Sequence, residues 1–185
     1  MRYFMDTEFL DTGSAIDLVS IGLVAEDGRE LYLQSVEFDP IKANGWIREN
    51  VLPHLKICHS SGKWNLDQSL YSWERCEKPD CAWRTREQIR DEVLAFLDVE
   101  KYGALDIIGW CAAYDWVVFC QLFGTMMDIP QGYPHYIRDL QHILDERGIS
   151  DDQLPPQENG THNALEDARH IKKLWGYIVR NDAWQ

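Results

Sequence analysis

The chain has no surplus of basic residues: 18 Lys and Arg stand against 31 Asp and Glu, for a formal net charge of −13. That deficit excludes a protein that coats a polyanion with a broad basic face. Any nucleic acid must be held locally, through metal ions and a few Arg or Lys. No stretch approaches the roughly 18 consecutive apolar residues of a membrane-spanning helix. The N-terminus runs straight into MRYFMDTEF, with no basic region followed by an apolar run, so a cytoplasmic location is expected. Cysteine is sparse and odd in number, Cys58, Cys76, Cys81, Cys111 and Cys120, which argues against a disulfide framework. Cys58, His59, Cys76 and Cys81 could be drawn around zinc, but their gaps are irregular where paired C-x-x-C spacing is the rule. Internal repeats and low-complexity tracts are also missing.

What is present suits one domain spanning 1–185. A chain of 185 residues that is 45% hydrophobic can bury a full sheet with helices on its faces. The first ten residues organise the rest. Apolar character over Met1–Met5 reads as a strand, and it ends in Asp6-Thr7-Glu8. Strand side chains alternate faces, so Asp6 and Glu8 point one way and Thr7 the other. Two like charges side by side call for a cation between them, and a divalent metal held by oxygen ligands is the simplest answer.

Ile16–Ala25 and Glu30–Val36 read as further strands joined by the turn Glu26-Asp27-Gly28. Asn44 is placed to cap a short helix over Gly45–Val51, which Pro53 ends. Residues 54–83 have no clear period and contain Trp64, Trp73 and Trp83, a pattern expected of a long loop or insertion. Thr85 with Gln88 forms a capping box for a helix whose apolar face is Ile89, Val93, Leu94, Phe96 and Leu97. Leu105–Cys111 reads as a central strand and Tyr114–Phe123 as the helix that follows, with Asp115 at the junction. A loop over Met126–Pro134 precedes a helix expected over Tyr136–Arg147, stopped by Gly148. The polar, proline-containing Ser150–Gly160 leads into a last helix over His162–Val179. Strands first and strand–helix alternation afterwards predict an α/β fold: a mixed sheet, three antiparallel strands and then parallel ones, with helices on both faces.

His162-Asn163-Ala164-Leu165-Glu166-Asp167-Ala168 places an acid one to two turns into that last helix and a histidine at or before its first turn. Singly, each of these residues has an ordinary role: Asp6 and Glu8 on an edge strand, His162 as a cap, Asp167 with Glu166 on a solvated face. Together, Asp6, Glu8, Asp115 and Asp167 with His162 are the set a two-metal phosphodiesterase requires. Oxygen ligands suit Mg²⁺ or Mn²⁺, and a neutral histidine can take the proton of an attacking water. Two other acids, Asp106 and Asp139, rank below these four. Arg84, Arg86 and Arg90 could guide a phosphate backbone or lie on a solvated face paired with Glu87 and Asp91.

The ordered set MRYFMDTEF, VSIGLVAEDGRE, VEFDP, VLP, REQIR, AAYDWVVFCQLFG and HNALEDAR resembles the DEDDh 3′→5′ exonucleases, which share a ribonuclease H-like fold. Within that group it is most similar to the small polyadenylate-specific RNase AS type of exoribonuclease. The resemblance covers nearly the whole chain. It implies that Asp6 bridges two divalent ions, that Glu8 and Asp167 complete the shell of one, and that Asp115 holds the other partly through water. It implies His162 as general base and a homodimer. Phe9 and Leu10 would flank the terminal nucleotide, although core packing of Phe9 is an equal alternative. The stretch 54–83 departs from the family by its length, and its Trp residues with Lys63 could stack single-stranded bases or pack in a core or dimer interface.

The expected activity is hydrolysis of single-stranded RNA from its 3′ end, including 3′ overhangs or adenine-rich tails, to 5′-monophosphates. A 3′→5′ DNA exonuclease of proofreading or repair type would use identical chemistry. The rival from another class is an inactive exonuclease-like module that binds nucleic acid; it has no use for four mutually repelling carboxylates.

Overall fold

Pairing of the two longest strands sets the frame. β1 (Arg2–Asp11) and β2 (Ile16–Ala25) run antiparallel with Phe4 opposite Val24 and Asp6 opposite Gly22. A computed structural model describes residues 1–56, 81–158 and 160–182. β3 (Glu30–Ser35) continues antiparallel to β2 across a tight turn in which Gly28 takes φ +95°. The remaining pairings are parallel: β4 (Trp83–Arg84) to β3, β5 (Asp106–Gly109) to β1, and β6 (Arg138–Asp139) to β5. Sheet order is β4-β3-β2-β1-β5-β6.

Alternation along β1 assigns the two faces. Tyr3 and Met5 pack with Ile89, Val93 and Leu97 of α2 (Arg86–Phe96) and its cap, and with Val118 and Phe119 of α4 (Ala113–Gln121). Phe4 points to the opposite face, into a cluster with Leu140 and Leu144 of α5 (Leu140–Arg147) and with Ala168, Ile171, Leu174 and Ile178 of α6 (Ala164–Asp182). Those four α6 positions recur every three or four residues, as one buried stripe of a helix must. The short α1 (Gly45–Asn50) is capped by Asn44, α2 starts on the full Thr85–Gln88 capping box, and α3 (Val99–Tyr102) makes the approach to β5.

The result is a six-stranded mixed sheet, antiparallel and then parallel, covered on both faces, as the element order predicts, and it is consistent with the α/β ribonuclease H-like fold that the resemblance implies. Two elements differ from expectation. β4 lies at the end of the stretch read as a loop over 54–83, and Trp83 is buried there, its indole N–H donating to the Lys56 carbonyl at 2.8 Å. That removes Trp83 as a base-stacking residue; Lys63, Trp64, Trp73 and most of the cysteine cluster lie outside the described residues. The helix expected over Tyr136–Arg147 begins only at Leu140, because Arg138 and Asp139 pair with Ile108 and Gly109.

One contact controls how closely α6 lies on the sheet. A Cβ placed on Gly22 would fall 2.2 Å from the Ala164 carbonyl oxygen and 2.5 Å from the Leu165 nitrogen. The first turn of α6 therefore rests directly on β2, at the strand position that faces Asp6. Glycine inside a strand commonly marks such a close backbone approach.

Candidate active site

Side-chain alternation puts Asp6 and Glu8 on the face that carries α6, and the seat at Gly22 brings Asp167 down to them. One carboxylate oxygen each from Asp6, Glu8 and Asp167 lies within 4.8 Å of the others. These three acids share a cavity of about 770 Å³ with Phe9, Asp115, His162 and the segment from Asp151 to Gln157.

Such crowding has an electrostatic cost. Burial, with Asp115, Asp167 and Glu8 close by, holds the Asp6 carboxyl well above the usual carboxylate range. Burial and the neighbouring Asp167 and Asp115 push Glu8 up to about 8. Asp167 is also raised by burial, opposed by a hydrogen bond from Gln157 Nε2 to its Oδ1 at 2.7 Å and by nearby His162. A divalent cation would remove this repulsion, and a donor set made wholly of carboxylate oxygen fits Mg²⁺ or Mn²⁺.

Asp115 reaches the site from the other side of β1. It is buried, and its Oδ1 accepts from the Thr7 backbone N–H at 2.8 Å and from the Thr7 hydroxyl at 2.6 Å. Thr7 thus fixes Asp115 through the side of the strand that Asp6 and Glu8 do not use. Burial raises the Asp115 carboxyl, and the two Thr7 bonds oppose the rise.

His162 stands outside α6. Its φ of +64° bends the chain immediately before Asn163, whose Oδ1 accepts from the Leu165 and Glu166 N–H groups at 3.2 and 3.3 Å and so caps the helix. The imidazole lines the cavity and meets the Trp46 ring edge-on, with centroids 4.8 Å apart. Trp46 is 54% exposed, so one side of its ring is open to solvent beside the imidazole.

Between Glu8–Ser20 and Phe9–Leu18 the β1–β2 register skips Val19, so the extra residue lies on β2 and Phe9 stays on the face of Tyr3 and Met5. Phe9 lines the cavity and stacks on the half-exposed Tyr114 at 6.0 Å. Leu10, expected to flank a nucleotide with Phe9, is 1% exposed among Val19, Phe38 and Ile47. Its side chain belongs to the core and offers no surface to a ligand. Asp106 is removed from the site by ion pairs with Arg2 and Arg138, both at 3.1 Å. Arg90 pairs with Asp91 and Glu87 on a solvated face, Arg86 pairs with Asp17, and Arg84, 19% exposed, is held by Glu92 and the Cys81 and Trp83 carbonyls.

Sequence reasoning passed over Gly22, Thr7, Trp46 and Gln157. Only Gly22 carried a readable signal, as an isolated glycine in a strand of β-branched residues.

A ribonuclease H-like sheet with three converging carboxylates, a fourth braced from the opposite face and a histidine on the cavity wall defines an acid-lined member of that fold class. Residues 1–179 match the model of the 3′-5′ exoribonuclease Rv2179c-like domain, and the chain belongs to that family. It is 38% identical over 182 residues to 3′-5′ exoribonuclease Rv2179c of Mycobacterium tuberculosis strain H37Rv, covering 98% of this chain and 95% of that protein. The same figures hold for 3′-5′ exoribonuclease MT2234.1 of strain CDC 1551.

Proposed function

We propose that this protein is a metal-dependent 3′→5′ exoribonuclease that hydrolyses single-stranded RNA to 5′-monophosphates. The observation that carries the reading is the convergence of Asp6, Glu8 and Asp167 within 4.8 Å, in a chain of this family. Asp6, Glu8 and Asp167 would hold divalent cations, with Asp115 alongside. When bound, such ions neutralise charge developing on the scissile phosphate and its leaving oxygen.

The remaining roles fall to the chain's own groups. His162, outside the helix, accepts the proton of the water that attacks phosphorus. The bond from phosphorus to the preceding 3′ oxygen breaks and that oxygen takes a proton from solvent water, leaving a shortened RNA with a 3′-hydroxyl and releasing a nucleoside 5′-monophosphate. Phe9 stacked on Tyr114, and Trp46 against His162, offer aromatic rings near the carboxylates for the terminal bases. RNA is chosen over DNA from the names of the relatives, and adenine-rich 3′ tails from the resemblance to polyadenylate-specific enzymes. Homodimerisation belongs to the same proposal, and light scattering on the purified protein tests it.

The deciding experiment follows 5′-labelled single-stranded RNA, matched DNA and duplexes through time, with Mg²⁺, Mn²⁺ or EDTA. A ladder shortening from the 3′ end of RNA, abolished by EDTA and by Asp6→Ala, is expected. Unchanged hydrolysis by Asp6→Ala would overturn the mechanism; preference for the DNA strand would overturn the substrate.

A further inference from the structure

We infer that Asp139 is a positioning residue for Asp115, acting through the turn between β5 and α4. The chain leaves β5 at Gly109 and enters α4 at Ala113, so three residues make the reversal. It is tight: a Cβ on Gly109 would lie 2.5 Å from that of Ala112. It also places Cys111 at φ +49°, a left-handed conformation that a side chain other than glycine's rarely adopts.

A helix start needs acceptors for its first peptide N–H groups. α4 receives none from its own cap, because Ala112 occupies that position. The acceptor comes from 27 residues further along. Asp139 Oδ2 accepts from the Ala112 N–H at 2.9 Å, and its Oδ1 accepts from the Cys111 N–H at 3.1 Å. The same Oδ1 accepts from the Gln141 N–H at 2.9 Å, so the carboxylate also caps α5. One side chain thus ties the ends of β5 and β6 to the starts of two helices.

Asp115 lies in the first turn of α4, and its carboxylate must meet Thr7 on β1. If the brace goes, the left-handed turn relaxes and that first turn moves. Asp139 touches none of the reacting groups; it reaches Asp115 through the turn and, as a like charge, through space. Groups hydrogen-bonded directly to a metal ligand typically change affinity or activity about 10- to 100-fold, and Asp139 stands one step further out, which sets the expectation at the lower end, about tenfold.

The inference rests on the metal reading above, and the experiment separates the two. Asp139→Ser keeps a good cap for α5 but is too short to reach both N–H groups of the turn. Asp139→Asn keeps the shape and turns one donor against a donor. Both are expected to lose kcat about tenfold with KM for RNA little changed, and to weaken Mn²⁺ binding measured by calorimetry about tenfold. Adding Cys111→Gly, which adopts a positive φ freely, should restore part of the kcat lost in Asp139→Ser. Leu144→Ala, a cavity in the core beneath α5, controls for lost stability. Wild-type kcat in Asp139→Ser, or an equal kcat loss in Leu144→Ala at matched Tm, would overturn the inference. Wild-type protein that cuts RNA without binding Mn²⁺ would instead retire the metal reading, leaving the kcat of the Ser variant to judge Asp139.

Discussion

Replacing Gly22 by alanine tests whether the seat of α6 builds the site. The added Cβ would stand 2.2 Å from the Ala164 oxygen, 2.3 Å from its carbonyl carbon and 2.5 Å from the Leu165 nitrogen. All three are backbone atoms of a buried helix start, so no flexible side chain can yield. To reach ordinary contact the first turn of α6 must lift by about 1 Å, a displacement a packed interior resists. Overpacking of this kind costs about 1–3 kcal/mol. For a chain of this size that corresponds to a fall in Tm of roughly 2–12 °C, so the protein should stay folded at 25 °C. His162 and Asp167 flank the lifted turn, and a 1 Å misplacement of reacting groups can reduce turnover about 100-fold. Calorimetric Tm and kcat/KM on single-stranded RNA measure the two effects. Gly28→Ala supplies the contrast: nothing lies within 4 Å of its Cβ, and its φ of +95° introduces strain far from the carboxylates. It should lose stability and keep activity. Gly22→Ala with wild-type kcat/KM would show that the approach of α6 does not set the geometry.

The acid cluster predicts an unusual pH dependence for the metal-free protein. Burial and neighbouring acids lift Glu8 from 4.5 to about 8, so the native state retains a proton that the unfolded chain releases; stability should fall as pH rises between those values. Glu8→Gln should flatten that slope and Mg²⁺ should offset it; metal-free denaturant midpoints with the same slope in wild type and variant would refute the assignment. Thr7→Val keeps the backbone bond to Asp115 and removes the hydroxyl bond, so kcat should drop about tenfold while Thr7→Ser retains activity. Trp46→Ala removes a half-exposed ring against His162; if it stacks a base worth about 1–3 kcal/mol, KM for RNA should rise roughly 5- to 160-fold with little change in Tm. An unchanged KM would assign the ring to holding the imidazole alone.

Local patterns carried most of the fold because each left a mark within a few residues. The Thr85–Gln88 box, the Asn44 cap and the alternation through Asp6 and Glu8 depend only on neighbours in the chain. β6 left no such mark: two residues cannot show a period, and the helical spacing of Leu140 and Leu144 runs back smoothly through Tyr136. That the Leu10 side chain is buried depends on Phe38 and Ile47 packing over it from a later segment, which a run of apolar letters does not show. Asp115 was found from its junction, yet that it leans on Thr7 requires knowing which face α4 covers. Asp139 was ranked below the other acids as a metal ligand; its bonds to Cys111 and Ala112 arise from the adjacency of β5 and β6, which no spacing in the sequence encodes.

The charge balance gives the proposed chemistry a further consequence. Arginines that might have gripped a phosphate backbone are engaged elsewhere: Arg2 and Arg138 on Asp106, Arg29 on Asp27, Arg90 on Asp91, and Arg169 on Glu30 and Glu166. Each is an exposed or half-exposed pair worth little to stability, but an arginine so placed has part of its field cancelled toward RNA. Asp151 and Asp152 add two more acids to the wall of the cavity. Among the described residues, then, the cavity a strand must enter is lined by acids and by no Lys or Arg. On the proposed reading, the carboxylates that would hold the metals also decide whether the RNA can approach. Capture of the 3′ end and its hydrolysis should therefore respond to metal together rather than as separable steps.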